Sequence, residues 1–330
     1  MFLYNIFFVS FCMQIIAAYD EEFAFKAYKL AAAAYADDDQ DAIVKCFNNS
    51  FPNVKVGNNF QHSTFECDKN GNTCGVVYAT FLELNTTIIS FRGTKTTWQL
   101  IVEAVESLEF VDYKENGIYY GKVDKYFKRA TEYAYTKFLA YSQQYNALST
   151  NIILTGHSLG GAMATMLAMK LVLDGDAKGN QIQLYTFAAP RSTDYVFARN
   201  LMEMVPNQFR VTHNRDIIPH SPSCDSNGDG CNKTPGQPYH PPTEVWYGKH
   251  DVMKIGEYVV CDSEDGEDPS CSDGDANAFK TIWDGLSAEH MQYFGYNIRA
   301  YGENGCNSSS RLKKTISLVI TFLFLSFNLI

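Results

Sequence analysis

The stretch that decides the fold is Gly156-His157-Ser158-Leu159-Gly160-Gly161. It fits the pattern G-x-S-x-G with one further glycine behind it. A short apolar run, Asn151 to Thr155, precedes it and reads as a buried strand. Gly160 to Leu173 follows, rich in Ala, Met and Leu and apolar nearly all round, so it reads as a helix lying against a sheet. On so sharp a strand-to-helix turn the serine is held out above the sheet. Glycines let strand and helix pass close without side-chain clash. The positive end of the helix then faces the place where an oxyanion would form. The plain alternative for Ser158 is a capping serine on a tight turn; the strand before it and the helix after it favour a nucleophile.

Outward from this turn the pattern alternates. Glu21 to Ala36 is Ala-rich and reads as a helix ended by Asp37-Asp38-Asp39. Gly75 to Glu83 and Thr86 to Phe91 read as strands, with Asn85 in the turn between them. Trp98 to Leu108 and Lys122 to Tyr141 read as helices, and Gln181 to Phe187 and Gln208 to Thr212 as strands. Such an order gives an α/β fold: a mainly parallel central sheet covered by helices on both faces. No linker interrupts residues 19–306, which are expected to form one catalytic domain.

The ends differ from the middle. Met1 to Ile16 is almost wholly apolar and leads into Ala17-Ala18, which reads as a signal peptide covering residues 1–18; a short N-terminal anchor is the alternative. Residues 307–330 carry small and basic residues and then an apolar run from Ile316. A GPI-attachment signal, a membrane tail anchor and a buried or disordered tail all remain open there. The protein is thus expected to be secreted, or tethered at the cell surface. A net charge of -10 argues against nucleic acid, which requires a basic footprint.

Nine cysteines less Cys12 in the leader leave eight. Eight allow about a hundred connectivities. Proximity suggests Cys67 with Cys74, Cys224 with Cys231 and Cys261 with Cys271, leaving Cys46 with Cys306 to clamp the two ends. None of these spacings makes a two-by-two zinc pattern. Asp225 to Gly230 matches the opening half of a calcium loop, but Gly236 stands where the bidentate Glu is needed. Asn48, Asn85, Asn232 and Asn307 head glycosylation triplets.

A serine at its ordinary pKa is a weak nucleophile and needs a base. In this fold class the chain order is Ser, then acid, then His. That order excludes His62, and His157 is expected to point away from the serine. Chain order leaves five histidines, His213, His220, His240, His250 and His290, of which His213 and His220 flank the acid candidate Asp216 and have little chain with which to reach the serine independently. The best acid is Asp216, in the strand-end turn Asn214-Arg215-Asp216-Ile217-Ile218-Pro219. A simple turn or cap residue is the alternative for Asp216.

Five segments in order resemble the fungal-type (class 3) triacylglycerol lipases. They are Ile88-Ile89-Ser90-Phe91-Arg92-Gly93-Thr94, the serine turn, Tyr185-Thr186-Phe187-Ala188-Ala189-Pro190-Arg191, the Asp216 turn and Glu289-His290-Met291-Gln292-Tyr293-Phe294. The resemblance runs from about Glu21 to Cys306 and implies the α/β-hydrolase fold. It implies Ser158 as nucleophile, Asp216 as acid and His290 as general base. It also implies an oxyanion hole made by Thr94 and the N–H of Leu159. Two departures stand out. Ala188-Ala189 replaces a more usual Gly with a polar residue, and Asn214-Arg215 replaces a pair of small residues.

The resemblance implies hydrolysis of lipid carboxylic esters, triacylglycerol above others, at a lipid–water interface or membrane surface. No metal or organic cofactor is called for, and no obligate protein partner is inferred. A phospholipase or a non-lipid carboxylesterase would use the same framework. A non-catalytic surface binding protein is the reading from another class, against which stand the filled triad positions. Lys95 to Val105 lies where the family keeps its lid. Its alternation of Trp98, Leu100, Ile101, Val102 and Val105 with polar residues suits either an amphipathic lid or an ordinary packed helix.

Overall fold

The computed structural model describes residues 18–54, 59–67, 73–93, 109–226, 230–248, 250, 252–275 and 286–307. The leader, the tail beyond 307, the centres of the two short cysteine loops and the expected helix Trp98 to Leu108 lie outside these residues.

Asp20 starts the fold. Its carboxylate accepts the Phe23 N–H and caps α1, Glu21–Ala33, which a 3-10 turn at Ala34–Ala36 prolongs. Asp37 then turns the chain at φ 49, and Asp39 caps α2, Gln40–Ser50. The acidic run therefore ends one helix, as expected, and also starts a second that the alanine pattern does not announce. Strands β1 (Phe60–Glu66), β2 (Thr73–Phe81) and β3 (Thr86–Arg92) form an antiparallel meander. β4 (Phe110–Glu115) and β5 (Ile118–Asp124) form a hairpin.

Helix α3 is Lys125–Tyr145. This corrects the expected start at Lys122: Lys122 to Asp124 belong to β5, and the Asp124 carboxylate accepts the Tyr126 and Phe127 N–H groups. A side-chain cap fixes a helix start where periodicity alone drifts. Next come β6 (Asn151–His157), α4 (Leu159–Leu173), β7 (Ile182–Phe187), β8 (Thr193–Asp194), α5 (Tyr195–Met204) and β9 (Gln208–His213). The remainder is short: β10 (Pro238–Tyr239), β11 (Glu244–Tyr247), β12 (Val259–Val260), α6 (Ser272–Asp275), α7 (Leu286–Met291), β13 (Gln292–Tyr293), β14 (Tyr296–Asn297) and α8 (Ile298–Glu303).

The main sheet runs β1-β2-β3-β6-β7-β9-β11-β12. Its middle, β3 through β11, is parallel, and its flanks are antiparallel. Alternate residues of each strand feed opposite faces. On one face Val76, Tyr78, Ile89, Phe91 and Leu154 pack with α3 and α4. On the other, Val77, Ile88, Ile153, Phe187 and Val211 pack with α1, α2 and α8. The alanines of α1 keep it close to the sheet. Ser90 Oγ donates to the Leu30 carbonyl at 2.7 Å and Thr155 Oγ1 to that of Ala27 at 3.2 Å. α4 is apolar all round because it is sandwiched between sheet and α3.

The four disulfides join Cys46–Cys306, Cys67–Cys74, Cys224–Cys231 and Cys261–Cys271, the pairs proximity suggested. The Cys261–Cys271 loop is held to the residues after β7 by a buried ion cluster. Arg191 donates to Glu267 from Nε (3.0 Å) and Nη2 (2.8 Å), and Nη2 also reaches Asp273 at 2.7 Å.

Candidate active site

Parallel strands in such a sheet bring their carboxyl ends to one edge, where ligands bind. Ser158 follows β6 and Asp216 follows β9 at that edge. Ser158 sits at φ 57, ψ -131, a backbone conformation L-residues rarely adopt. Neighbouring glycines hold it there. A Cβ on Gly156 would run into the Gly160 carbonyl, and a Cβ on Gly160 into the Phe91 carbonyl of β3. The Ser158 N–H donates to the Phe187 carbonyl at 2.9 Å, tying the turn to β7.

Of the five histidines the sequence left open, the one beside Ser158 is His290, in α7. Its Nε2 lies 2.9 Å from Ser158 Oγ. Its Nδ1 lies 3.0 Å from both oxygens of Asp216. The other four have partners elsewhere. His213 meets the His250 carbonyl, His220 meets Asp273, His240 meets Glu267, and His250 meets Glu257. The chain 2.9–3.0–3.0 Å is continuous and buried: Ser158 is 2% exposed, Asp216 2% and His290 0%.

Asp216 also accepts the Tyr293 hydroxyl at 2.9 Å and the Ile218 N–H at 3.1 Å. Burial by itself pushes its carboxyl up. The adjoining His290 ring and these donors outweigh that, and they hold it below the usual carboxylate range. An acid that stays ionised fixes a proton on His290 Nδ1 and leaves Nε2 free to accept one.

Leu159 opens α4 immediately after Ser158, where helix amides have no intrahelical acceptor. Thr94 lies outside the described residues, as does the expected lid at Lys95 to Val105. Gly93 packs close to Ser158: a Cβ there would stand 3.1 Å from Ser158 Cβ.

Sequence reasoning missed three contributors. His157 does more than point away. Its Nε2 donates to the His290 carbonyl at 2.7 Å, and its Nδ1 accepts the Tyr35 hydroxyl at 2.9 Å. Burial, then the neighbouring His290, push its pKa down to about 3, so the ring is neutral and this tautomer follows from its partners. Tyr293 was visible only as part of a motif. Glu289 holds the acid turn: it accepts Asn214 Nδ2 at 2.6 Å and the Arg215 N–H at 3.0 Å. Ala188, one of the departures, sits at φ 52. Glycine adopts that region without the Cβ penalty of about 1 to 2 kcal/mol, which explains the more usual residue there.

Two groups of side chains among the described residues have metal-like spacing: Cys261, Asp268 and Cys271, and Cys231, Glu267 and Asp273. Each relies on a cysteine already tied in a disulfide, whose sulfur is no thiolate ligand. Asn227 to Asp229, in the half-match to a calcium loop, lie outside the described residues.

The family model for Lipase (class 3) matches residues 88–226. "Lipase ZK262.3" from Caenorhabditis elegans is 32% identical over 323 residues, covering 90% of this chain and 85% of that protein. A lipase structure from Rhizopus microsporus var. chinensis superposes with a TM-score of 0.64 at 20% identity, covering 88% of this chain and 94% of its own. A structure described as "A serine protease triad forms the catalytic centre of a triacylglycerol lipase" gives 0.60 at 24%, covering 88% and 98%. The shared fold is that of the α/β-hydrolase lipases. With a 32% identical relative matched over most of both lengths, the chain belongs to the class 3 lipases, serine hydrolases of lipid esters.

Proposed function

We propose that this protein is a secreted lipase that cleaves triacylglycerol and related lipid esters through an acyl-enzyme on Ser158. The observation that carries the reading is the unbroken hydrogen-bonded path from Ser158 Oγ through His290 to Asp216. In the first step Oγ attacks the ester carbonyl while its proton passes to His290 Nε2. The tetrahedral oxyanion is met by the Leu159 N–H, at the positive end of α4, and by Thr94. His290 then gives its proton to the leaving alcohol. Water repeats the sequence in reverse roles and releases the fatty acid. Asp216 stays ionised throughout and keeps the imidazolium oriented.

Secretion is supported by the apolar leader, by four disulfides and by similarity over 70 residues to the "Secreted mono- and diacylglycerol lipase 1" of Fusarium solani. No helix among the described residues is long and apolar enough to cross a membrane. The sequence Lys95 to Val105 stands where the class 3 lipases keep a lid, and a lid predicts higher activity on emulsified than on monomeric ester.

The test is hydrolysis of p-nitrophenyl esters of short and long acyl chains and of triacylglycerol emulsion, with Ser158→Ala alongside. The expected result is activity on the emulsion and long esters that falls by ~10⁴-fold or more in the variant. Activity confined to short soluble esters would make it a carboxylesterase. A folded but inactive wild type would favour a binding protein.

A further inference from the structure

The acid and the base come from distant parts of the chain: Asp216 and His290 are 74 residues apart. Contact between a carboxylate and an imidazole fixes their separation but leaves each free to swing about that contact. A second attachment beside the first removes the swing. The structure has one. Glu289, immediately before the base, reaches the turn that carries the acid. Asn214 Nδ2 donates to one of its oxygens at 2.6 Å and the Arg215 N–H to the other at 3.0 Å. Asn214 takes the left-handed conformation, φ 44, which asparagine tolerates better than most residues. Its N–H donates to the Tyr247 carbonyl at 2.9 Å, and its own carbonyl accepts Trp246 Nε1 at 3.2 Å. The acid turn is therefore held on one side by β11 and on the other by Glu289.

Resting on the catalytic reading above, we propose that Glu289 is a positioning residue that locks the acid turn to the base helix and so keeps His290 aligned for proton transfer. Both carboxylate oxygens are used, one on a side chain and one on the backbone, so the rotation of the α7 end is set as well as its distance. Glutamine can substitute, because its carbonyl accepts the Arg215 N–H and Asn214 can turn its amide to present an acceptor to the new NH₂. Alanine cannot.

The experiment uses the purified protein and p-nitrophenyl butyrate, comparing wild type, Ser158→Ala, Glu289→Ala and Glu289→Gln. A displacement on the order of 1 Å at a reacting group costs about 10²-fold in rate. Glu289→Ala is therefore expected to lower kcat by about ten- to a hundredfold with KM nearly unchanged, and Glu289→Gln to restore most of it. Amide hydrogen exchange at Arg215 should quicken in Glu289→Ala and stay near the wild-type rate in Glu289→Gln. An active wild type whose Glu289→Ala variant keeps its kcat, or whose Arg215 exchange does not change, overturns this role alone. A wild type with no Ser158-dependent activity overturns the catalytic reading together with it.

Discussion

The two ends of the proton path are built by different means. Ser158 is placed by backbone: a positive φ, glycines that admit the close crossing of β6, β3 and α4, and an N–H hydrogen bond to the Phe187 carbonyl of β7. His290 is placed by side chains: Asp216 on its ring, His157 on its carbonyl, Tyr293 on the acid that holds it, and Glu289 on Asn214 and Arg215 in the turn that carries that acid. Backbone placement confines the requirement to a few consecutive residues. Side-chain placement spreads it over the chain from Tyr35 to Tyr293. The first kind should fail by misfolding when altered, and the second by losing activity in a protein that still folds.

The largest expected effect tests the side-chain end. Asp216→Asn keeps the volume and offers an NH₂ where an acceptor stood, so the imidazole is driven to the wrong tautomer. In serine triads generally that change costs ~10⁴-fold in kcat with little change of structure. Here it should leave the unfolding midpoint within a few degrees of wild type while esterase activity nearly disappears. Retention of more than a tenth of kcat would mean that Asp216 does not orient His290. Collapse of the fold would mean that this end is structural too, and the contrast would dissolve.

The next effect tests the backbone end. Gly160→Ala adds one methyl group, aimed at the carbonyl and carbonyl carbon of Phe91 in β3. Those are backbone atoms in the middle of a sheet and cannot turn aside as a side-chain tip would. Overpacking of this kind costs ~3 kcal/mol or more when the neighbours are rigid. Denaturant unfolding should show that loss, with activity falling alongside. If the variant is as stable as wild type, the close crossing of α4 and β3 is not what holds the serine.

The same contrast decides what was legible in the sequence. Gly156 to Gly161 announced itself because a strained turn between a strand and a helix needs those residues at consecutive positions. The parallel core was readable for a like reason, since buried strands are short apolar runs. The base was not: chain order left His213, His220, His240, His250 and His290 open, and only the resemblance selected His290. The bonds that disqualify the others, such as His240 to Glu267, are long-range and leave no local pattern. Glu289 and Tyr293 stood inside a quoted motif, but their roles depend on where Asn214 and Asp216 come to rest. The start of α3 was misplaced because one cap, Asp124, outranked a helical pattern that ran on before it.

The smallest effect concerns the residue that belongs to both ends. His157 adjoins Ser158 in the chain and touches His290 in space; the two rings are 4.7 Å apart between centroids. Its pKa in the folded protein, pushed down to about 3 by burial and then by His290, lies below the ordinary histidine value of 6.5. The unfolded chain therefore takes up this proton first as pH falls. The stability that the neutral ring contributes is complete above about 6.5 and is lost progressively from there toward 3, at ~1.4 kcal/mol per pH unit. His157→Phe removes that titration while keeping an aromatic ring in the space. It should be less stable than wild type at pH 7, because the Tyr35 hydroxyl and the His290 carbonyl lose their partner. Between pH 6 and pH 4, however, its stability should fall less steeply than that of wild type, by ~1.4 kcal/mol per unit, with the other acidic groups common to both proteins. Denaturant unfolding across that range reads both slopes. Equal slopes would show that the folded protein takes up the His157 proton as readily as the unfolded chain, so that burial between Tyr35 and His290 does not hold the ring neutral.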